Sequence, residues 1–346
     1  MVHLYLLATK NPGSPRLIDH KPKIFVAGNG PVGSWIAHEL LLWNFEVSFL
    51  LSKGPPRDVS WSFVSGDVTT PHKVPGIDQL AISIPTKSPS LVIVATRAND
   101  LASLWDKQLS LLPPAKDDGN AHESPVIMIC CNGWVAEEIA TWSRLRPDLK
   151  FLLAVTTAGI TRAPGNTFLR TDSAGKIWWG PLRSEGHTPA WEKSLPPIFV
   201  NDPAIIERAR RKWLFNTAAN TLAGVLKLPR NHLMIDVHRN RLRQLFDEAY
   251  DLGCELWPEW RAKAFKEPAR RETLWHELCL LIRETGANEN SMSRAARTGS
   301  GTAEALYLGG LAFERTGYPE LKQATAQLLR DEPSSLDGRD GQIPRP

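Results

Sequence analysis

Three polar side chains recur every four residues inside a mostly apolar stretch: Lys212, Asn216 and Asn220, set among Trp213, Leu214, Phe215, Ala218, Ala219 and Leu222. On an α-helix each step of four drifts by only about 40°, so the three share one face. A cation and two amides on a helix otherwise suited to burial must find partners. Two arrangements satisfy them. Either they bond one another and nearby carbonyls, or they line a cleft that faces a ligand. In the second arrangement the lysine can hydrogen-bond a carbonyl oxygen and neutralise the alkoxide that hydride addition creates, while the amides hold a carboxylate or hydroxyl.

Hydride chemistry needs a nucleotide site, and the stretch Lys23 to Ser52 has the layout of one. Lys23-Ile24-Phe25-Val26-Ala27 is a short apolar run; Gly28-Asn29-Gly30-Pro31-Val32-Gly33 follows at once, then the helical segment Ser34 to Trp43 and a second apolar run, Glu46 to Leu51. That is G-x-G-x-x-G between a strand and a helix. The first glycine permits the tight turn, the second lets backbone approach a pyrophosphate, and the third lets helix and strand pack closely. Free N–H groups and the dipole at the helix start suit an anion. The alternative is a glycine turn without a ligand. At the end of the second strand no acid precedes Asp58, whereas Ser52, Lys53 and Arg57 are available, which points to the 2′-phosphate of NADP rather than the 2′-hydroxyl of NAD. The other reading of those charges is a solvated loop.

More apolar runs deliver polar residues to what must be the same sheet edge. Leu91 to Ala95 ends in Thr96-Arg97, Val126 to Cys131 in Asn132-Gly133, and Phe151 to Val155 in Thr156-Thr157-Ala158-Gly159. Continuous apolar runs of this length suit parallel strands covered on both faces, with ligands beyond their carboxyl ends. From Pro203 the spacing turns helical: Ile205 to Leu228, Leu233 to Leu252, Glu272 to Thr285, Thr302 to Thr316 and Glu320 to Leu329, broken at Pro229, Pro258, Pro268 and Pro319. The pattern predicts an α/β protein: an arm over 1–20, a Rossmann-type doubly wound parallel sheet over 21–200, an all-helical substrate domain over 201–330, and a charged tail over 331–346 expected to be disordered.

The 346 residues suffice for two cores, and 42% hydrophobic with 23% charged residues is a globular composition. A net charge of +4 without a basic block gives no support to a nucleic-acid partner. No apolar run reaches 18 residues and no secretion signal is legible, so no membrane partner is expected. Cys130, Cys131, Cys254 and Cys279 lack metal or disulfide spacing and read as free thiols of a reducing, cytoplasmic compartment. No metal set emerges from the nine histidines.

The glycine motif, Thr96-Arg97, Asn132-Gly133, Thr156-Thr157-Ala158-Gly159, the Lys212–Asn216–Asn220 helix and Ser291-Met292 together resemble the ketopantoate reductase family. The resemblance implies an NADPH-binding domain and a helical domain closing a cleft over a 2-keto acid; the chain is expected to be a monomer or homodimer. It implies a catalytic role for Lys212, substrate contacts from Asn216, Asn220 and Ser291, and cofactor contacts that include Ala158 and Asn132, the latter between cofactor and substrate. Arg97 stands where the family commonly has lysine. Ala303 stands where the family has a glutamate that touches cofactor and substrate, and Glu304, one residue along, is the candidate replacement. The missing acid motivates two expectations: a substrate larger or more apolar than ketopantoate, or a protein that keeps the fold but has left hydride chemistry for binding or non-redox catalysis.

Overall fold

The apolar runs pair as strands in the computed structural model, which describes residues 21–51, 55–83, 90–113, 125–170, 175–182, 190–285, 290–299 and 303–330. The expected arm and tail, together with Ser52, Lys53 and Thr302, lie outside these residues. In chain order the strands are β1 (Lys23–Ala27), β2 (Val47–Leu50), β3 (Val59–Ser65), β4 (Val68–Val74), β5 (Gly76–Ile77), β6 (Ser90–Val94), β7 (Val126–Ile129), β8 (Lys150–Thr156), β9 (Ile160–Ala163), β10 (Thr167–Arg170), β11 (Ile177–Pro181) and β12 (Phe199–Asn201). Eight of them form one sheet in the order β12-β11-β8-β7-β6-β1-β2-β5. From β5 to β8 every neighbouring pair is parallel, and only β11 runs antiparallel to its neighbour β8.

Side chains alternate across a strand, and the central strands are apolar on both faces. Phe25, Val92, Val94, Ile127, Ile129 and Leu153 belong to one core with the C-terminal helices, whereas Ile24, Val26, Leu91, Ile93, Met128 and Leu152 belong to another. The second core is closed by helix α1 (Pro31–Leu42) and by a feature absent from the sequence-based expectation: a four-stranded sheet, β4-β3-β10-β9. Its hairpin β3–β4 turns at Gly66, with φ +59°, and alternates buried Val59, Trp61 and Phe63 with more open Ser60, Ser62 and Val64. His38 of α1 stacks on Phe63 and bonds His72 of β4 at 2.7 Å, so burial and the neighbouring imidazole hold His38 neutral, with its pKa lowered to about 4.

The remaining helices are α2 (Leu80–Ser83), α3 (Leu101–Leu104), α4 (Ala136–Leu145), α5 (Ile205–Leu226), α6 (Asp236–Leu256), α7 (Pro258–Lys266), α8 (Arg270–Thr285), α9 (Ser291–Thr298) and α10 (Pro319–Arg330). The long α5 packs against β8 and β11 and against α6, α9 and α10, linking the sheet to the helices. Its last carbonyls are closed by Lys227 in the left-handed conformation. Two expected helices differ. Leu101 to Leu112 is a short α-turn that widens into a π-turn, Trp105–Leu109. Thr302 to Thr316 is not a helix over its described part but two 3₁₀ turns, Ala303–Tyr307 and Gly310–Ala312. The break falls at Gly309, where a Cβ would lie 2.1 Å from the Thr325 Oγ1 of α10. Close approach to α10 therefore requires glycine there, and glycine weakens a continuous helix.

Candidate active site

The parallel register brings the ends of β1, β6, β7 and β8 to one edge, and the glycine loop stands there. Gly28 has φ +101°, and a Cβ on it would meet Ala95 O at 2.6 Å; a Cβ on Gly33 would meet Gly28 O at 1.8 Å. Those two glycines are thus fixed by the turn and by helix packing. Gly30 differs: its backbone is extended, φ −77° and ψ −174°, and nothing lies within 4 Å of where its Cβ would be. Its side faces open space, beside the free N–H groups of Val32 and Gly33. Pro31 opens the helix, Ser34 N donates to Gly30 O at 2.9 Å, Asn29 is exposed at the tip, and the first turn carries no acid. The arrangement fits a pyrophosphate on the helix N-terminus. Thr96 and the exposed Arg97 close β6, half-buried Asn132 follows β7, and Ala158 N donates to Thr156 Oγ1 at 3.1 Å beyond β8.

Lys212 meets this edge from α5. Its Nζ donates to Thr156 O, the last residue of β8, at 3.0 Å. Burial is the main influence on its pKa and lowers it; the Arg230 guanidinium also lowers it, while Cys130 and the Glu304 carboxylate pull the other way. The two thiols do not compensate the charge, because burial pushes both Cys130 and Cys131 upward and keeps them protonated.

Asn216 and Asn220 do lie beside Lys212 on one helix face, and both are buried. Their oxygens are already used. Arg230 donates from Nε and Nη2 to Asn220 Oδ1, at 3.1 and 2.5 Å, and from Nη2 to Asn216 Oδ1 at 3.3 Å. A guanidinium only donates, which fixes both amides with oxygen toward Arg230 and nitrogen away. Burial lowers the Arg230 pKa to about 10, still charged at neutral pH. Sequence spacing missed this residue because it lies beyond the helix, ten positions after Asn220. The only sign was a cation directly after Pro229, where the helix ends.

Ser291, first residue of α9, donates from Oγ to Glu304 Oε2 at 3.0 Å. Glu304 is 9% exposed, and its Oε1 is buried without a hydrogen-bond partner among the described residues. Glu304 sits in a 3₁₀ turn rather than in the helix expected over Thr302 to Thr316. The turn is docked on the loop carrying Asn132, through Trp134 N to Tyr307 O at 3.2 Å. Lys212, Asn216, Asn220, Ser291 and Glu304 are therefore brought together, with Arg230 added. Ser52 and Lys53 lie outside the described residues.

Among the described residues no helix is long and apolar enough to cross a membrane, and no cluster of three or more histidine, cysteine or acidic side chains could hold a metal. The four cysteines are free, Cys130 and Cys279 buried, the others half-buried.

Residues 24–184 match the family described as Ketopantoate reductase PanE/ApbA. Over those residues the chain is similar to the ketopantoate reductase family. The whole fold extends the likeness. A dimeric ketopantoate reductase from Staphylococcus aureus aligns at a TM-score of 0.64 with 16% identity, over 90% of this chain and 98% of that one. The 2-dehydropantoate 2-reductase from Geobacter metallireducens GS-15 aligns at 0.64 with 19% identity, over 89% and 99%. A D-mandelate dehydrogenase, in its ternary structure with NADH and anilino(oxo)acetate, aligns at 0.67 with 15% identity, over 89% and 98%. At such identities these likenesses establish the fold. No curated protein sequence matches the chain.

Proposed function

We propose that this chain is an NADPH-dependent reductase of a 2-keto acid-like carbonyl compound. The observation that carries the reading is the meeting of Lys212, from the helices, with the strand edge that bears the glycine loop. When bound, NADPH would supply the hydride. Gly28 to Gly33 would hold its pyrophosphate, Arg97, Asn132 and Ala158 would border it, and Ser52 and Lys53 would meet its 2′-phosphate. Thr156 O holds the Lys212 ammonium at the edge, where it donates a hydrogen bond to the substrate oxygen and then its proton, the lowered pKa easing the transfer. Ser291 and the free oxygen of Glu304 bind polar groups of the substrate. The protein works as a monomer or homodimer in the reducing cytoplasm.

The alternative of a scaffold without hydride chemistry was motivated by the acid missing at Ala303. Glu304 weakens that motive, because its carboxylate reaches Ser291 and lies close enough to Lys212 to influence its charge. The deciding assay is NADPH oxidation with a panel of 2-oxo acids; a protein that binds NADPH yet oxidises it with none of them overturns the proposal. Exchange of Glu304 for glutamine should lower kcat/KM by about ten- to a hundredfold, from roughly 1 to 3 kcal/mol of lost charged hydrogen bonding. Unchanged kinetics in that variant would remove Glu304 from the site.

NADPH should bind more tightly than NADH by on the order of 1.5 to 3 kcal/mol, since no acid ends the second strand and cations follow it. Fluorescence titration checks this, and equal dissociation constants would refute it. Ketopantoate itself should be a poor substrate, the preferred one being larger or more apolar. Two cations in the site favour larger. A wild-type kcat/KM for ketopantoate near 10⁴ to 10⁶ per molar per second, the ordinary enzyme range of roughly 10⁴ to 10⁸, would exclude that.

A further inference from the structure

Arg230 is a second cation beside Asn216 and Asn220 that the reduction of a carbonyl does not require. It has three hydrogen bonds, all to the amide oxygens of Asn216 and Asn220, and no carboxylate among the described residues forms an ion pair with it. Its Nη1 is left without a hydrogen bond. The one acid nearby, Glu304, acts on Arg230 across space but bonds Ser291. With both thiols protonated, Lys212 and Arg230 face a single carboxylate, so one positive charge is uncompensated. A half-buried cation with an open Nη1 is best satisfied by an anion supplied with the ligand. The amides that could have taken a substrate hydroxyl as acceptors are committed to Arg230 instead.

Position decides which part of the ligand this anion is. Lys212 and Asn220 are separated by eight residues of α5, about 12 Å along the axis, and a guanidinium bridging Asn216 and Asn220 sits at roughly 9 Å. Lys212 Nζ is held at the end of β8 by Thr156 O, whereas Arg230 is held by Asn216 and Asn220. A carboxylate next to the reacting carbonyl stays close to Lys212. We infer that Arg230 forms a subsite for a second anionic group at the far end of the substrate, so that the preferred substrates are 2-oxo acids with a distal carboxylate or an equivalent anion. The inference rests on the reductase reading only for the orientation of that substrate.

Calorimetry on the NADPH complex tests it with glutarate, a diacid that cannot be reduced, against pentanoate, its monoacid counterpart. Kinetics with 2-oxoglutarate and 2-oxopentanoate run in parallel. Wild-type protein should bind glutarate at least about tenfold more tightly than pentanoate, and kcat/KM should favour the diacid by a similar factor. Arg230→Gln should bring both ratios to about one while leaving NADPH affinity unchanged, and Arg230→Lys should keep part of the preference. A residue that merely clamped two amides would lower affinity for both acids alike. Equal wild-type affinities, or a diacid preference that survives Arg230→Gln, overturn the subsite. Should Arg230→Gln fail to fold, the wild-type ratio and its retention in Arg230→Lys decide. If glutarate is preferred but neither these oxo acids nor any other of the panel oxidises NADPH, the reductase reading falls and the subsite stands.

Discussion

Alanine at Lys212 is expected to lower kcat by roughly 10² to 10⁴ and to leave NADPH affinity nearly unchanged. The ammonium bonds the end of β8 and belongs to α5, apart from the glycine loop, so its loss removes the proton and the charge that meet the alkoxide but not the pocket for the cofactor. Substitution of Asn216 or Asn220 should act more on KM, because those amides hold Arg230. The pH profile gives an independent check. Lys212 must be protonated to act, so reduction proceeds below its pKa and fails as pH rises through it. Burial and Arg230 lower that pKa, hence the alkaline limb should fall below the ordinary lysine range. Removal of the Arg230 charge should move the limb to higher pH, and removal of the Glu304 charge to lower pH. Full activity in Lys212→Ala, or a limb insensitive to both neighbours, would sink the mechanism.

The residues that place Lys212 were legible because each carries a local pattern. Period-four spacing put Lys212, Asn216 and Asn220 on one face, and apolar runs ending in Thr96, Asn132 and Thr156 located the sheet edge. What escaped depends on contacts distant in sequence. Arg230 enters the site by folding back over α5 after the Pro229 break, a geometry that no repeat encodes. Glu304 meets Ser291 from a 3₁₀ turn, where the spacing from Thr302 to Thr316 suggested a helix, and Gly309 just beyond it approaches Thr325 of α10. The small sheet over α1 was a different kind of miss. Val59, Trp61 and Phe63 alternate with serines and lead to a Gly66-Asp67 turn, a strand signal that the sequence does carry.

The largest effect on the cofactor should come from the glycine loop, where two single-methyl substitutions are expected to fail for opposite reasons. In Gly33→Ala the new carbon would lie 1.8 Å from Gly28 O, so backbone must move and α1 must lift from β1. Roughly 2 to 3 kcal/mol of stability should be lost, a fall in melting temperature of about 4 to 12 °C, with NADPH binding lost alongside it. Gly30→Ala puts its methyl into open space from a backbone conformation any residue adopts, so melting should move by about 2 °C or less. Yet that space is where a pyrophosphate would approach the helix N-terminus. Displacing it by one methyl should weaken NADPH by about ten- to a hundredfold, the equivalent of one charge-assisted hydrogen bond at roughly 1.5 to 3 kcal/mol. Thermal unfolding with and without NADPH separates the two, since ligand binding raises the midpoint only where the pocket survives. If Gly30→Ala binds NADPH like the wild type, the open side of Gly30 is not the pyrophosphate site. If Gly33→Ala melts unchanged, the tight packing of α1 on the turn does not limit the fold.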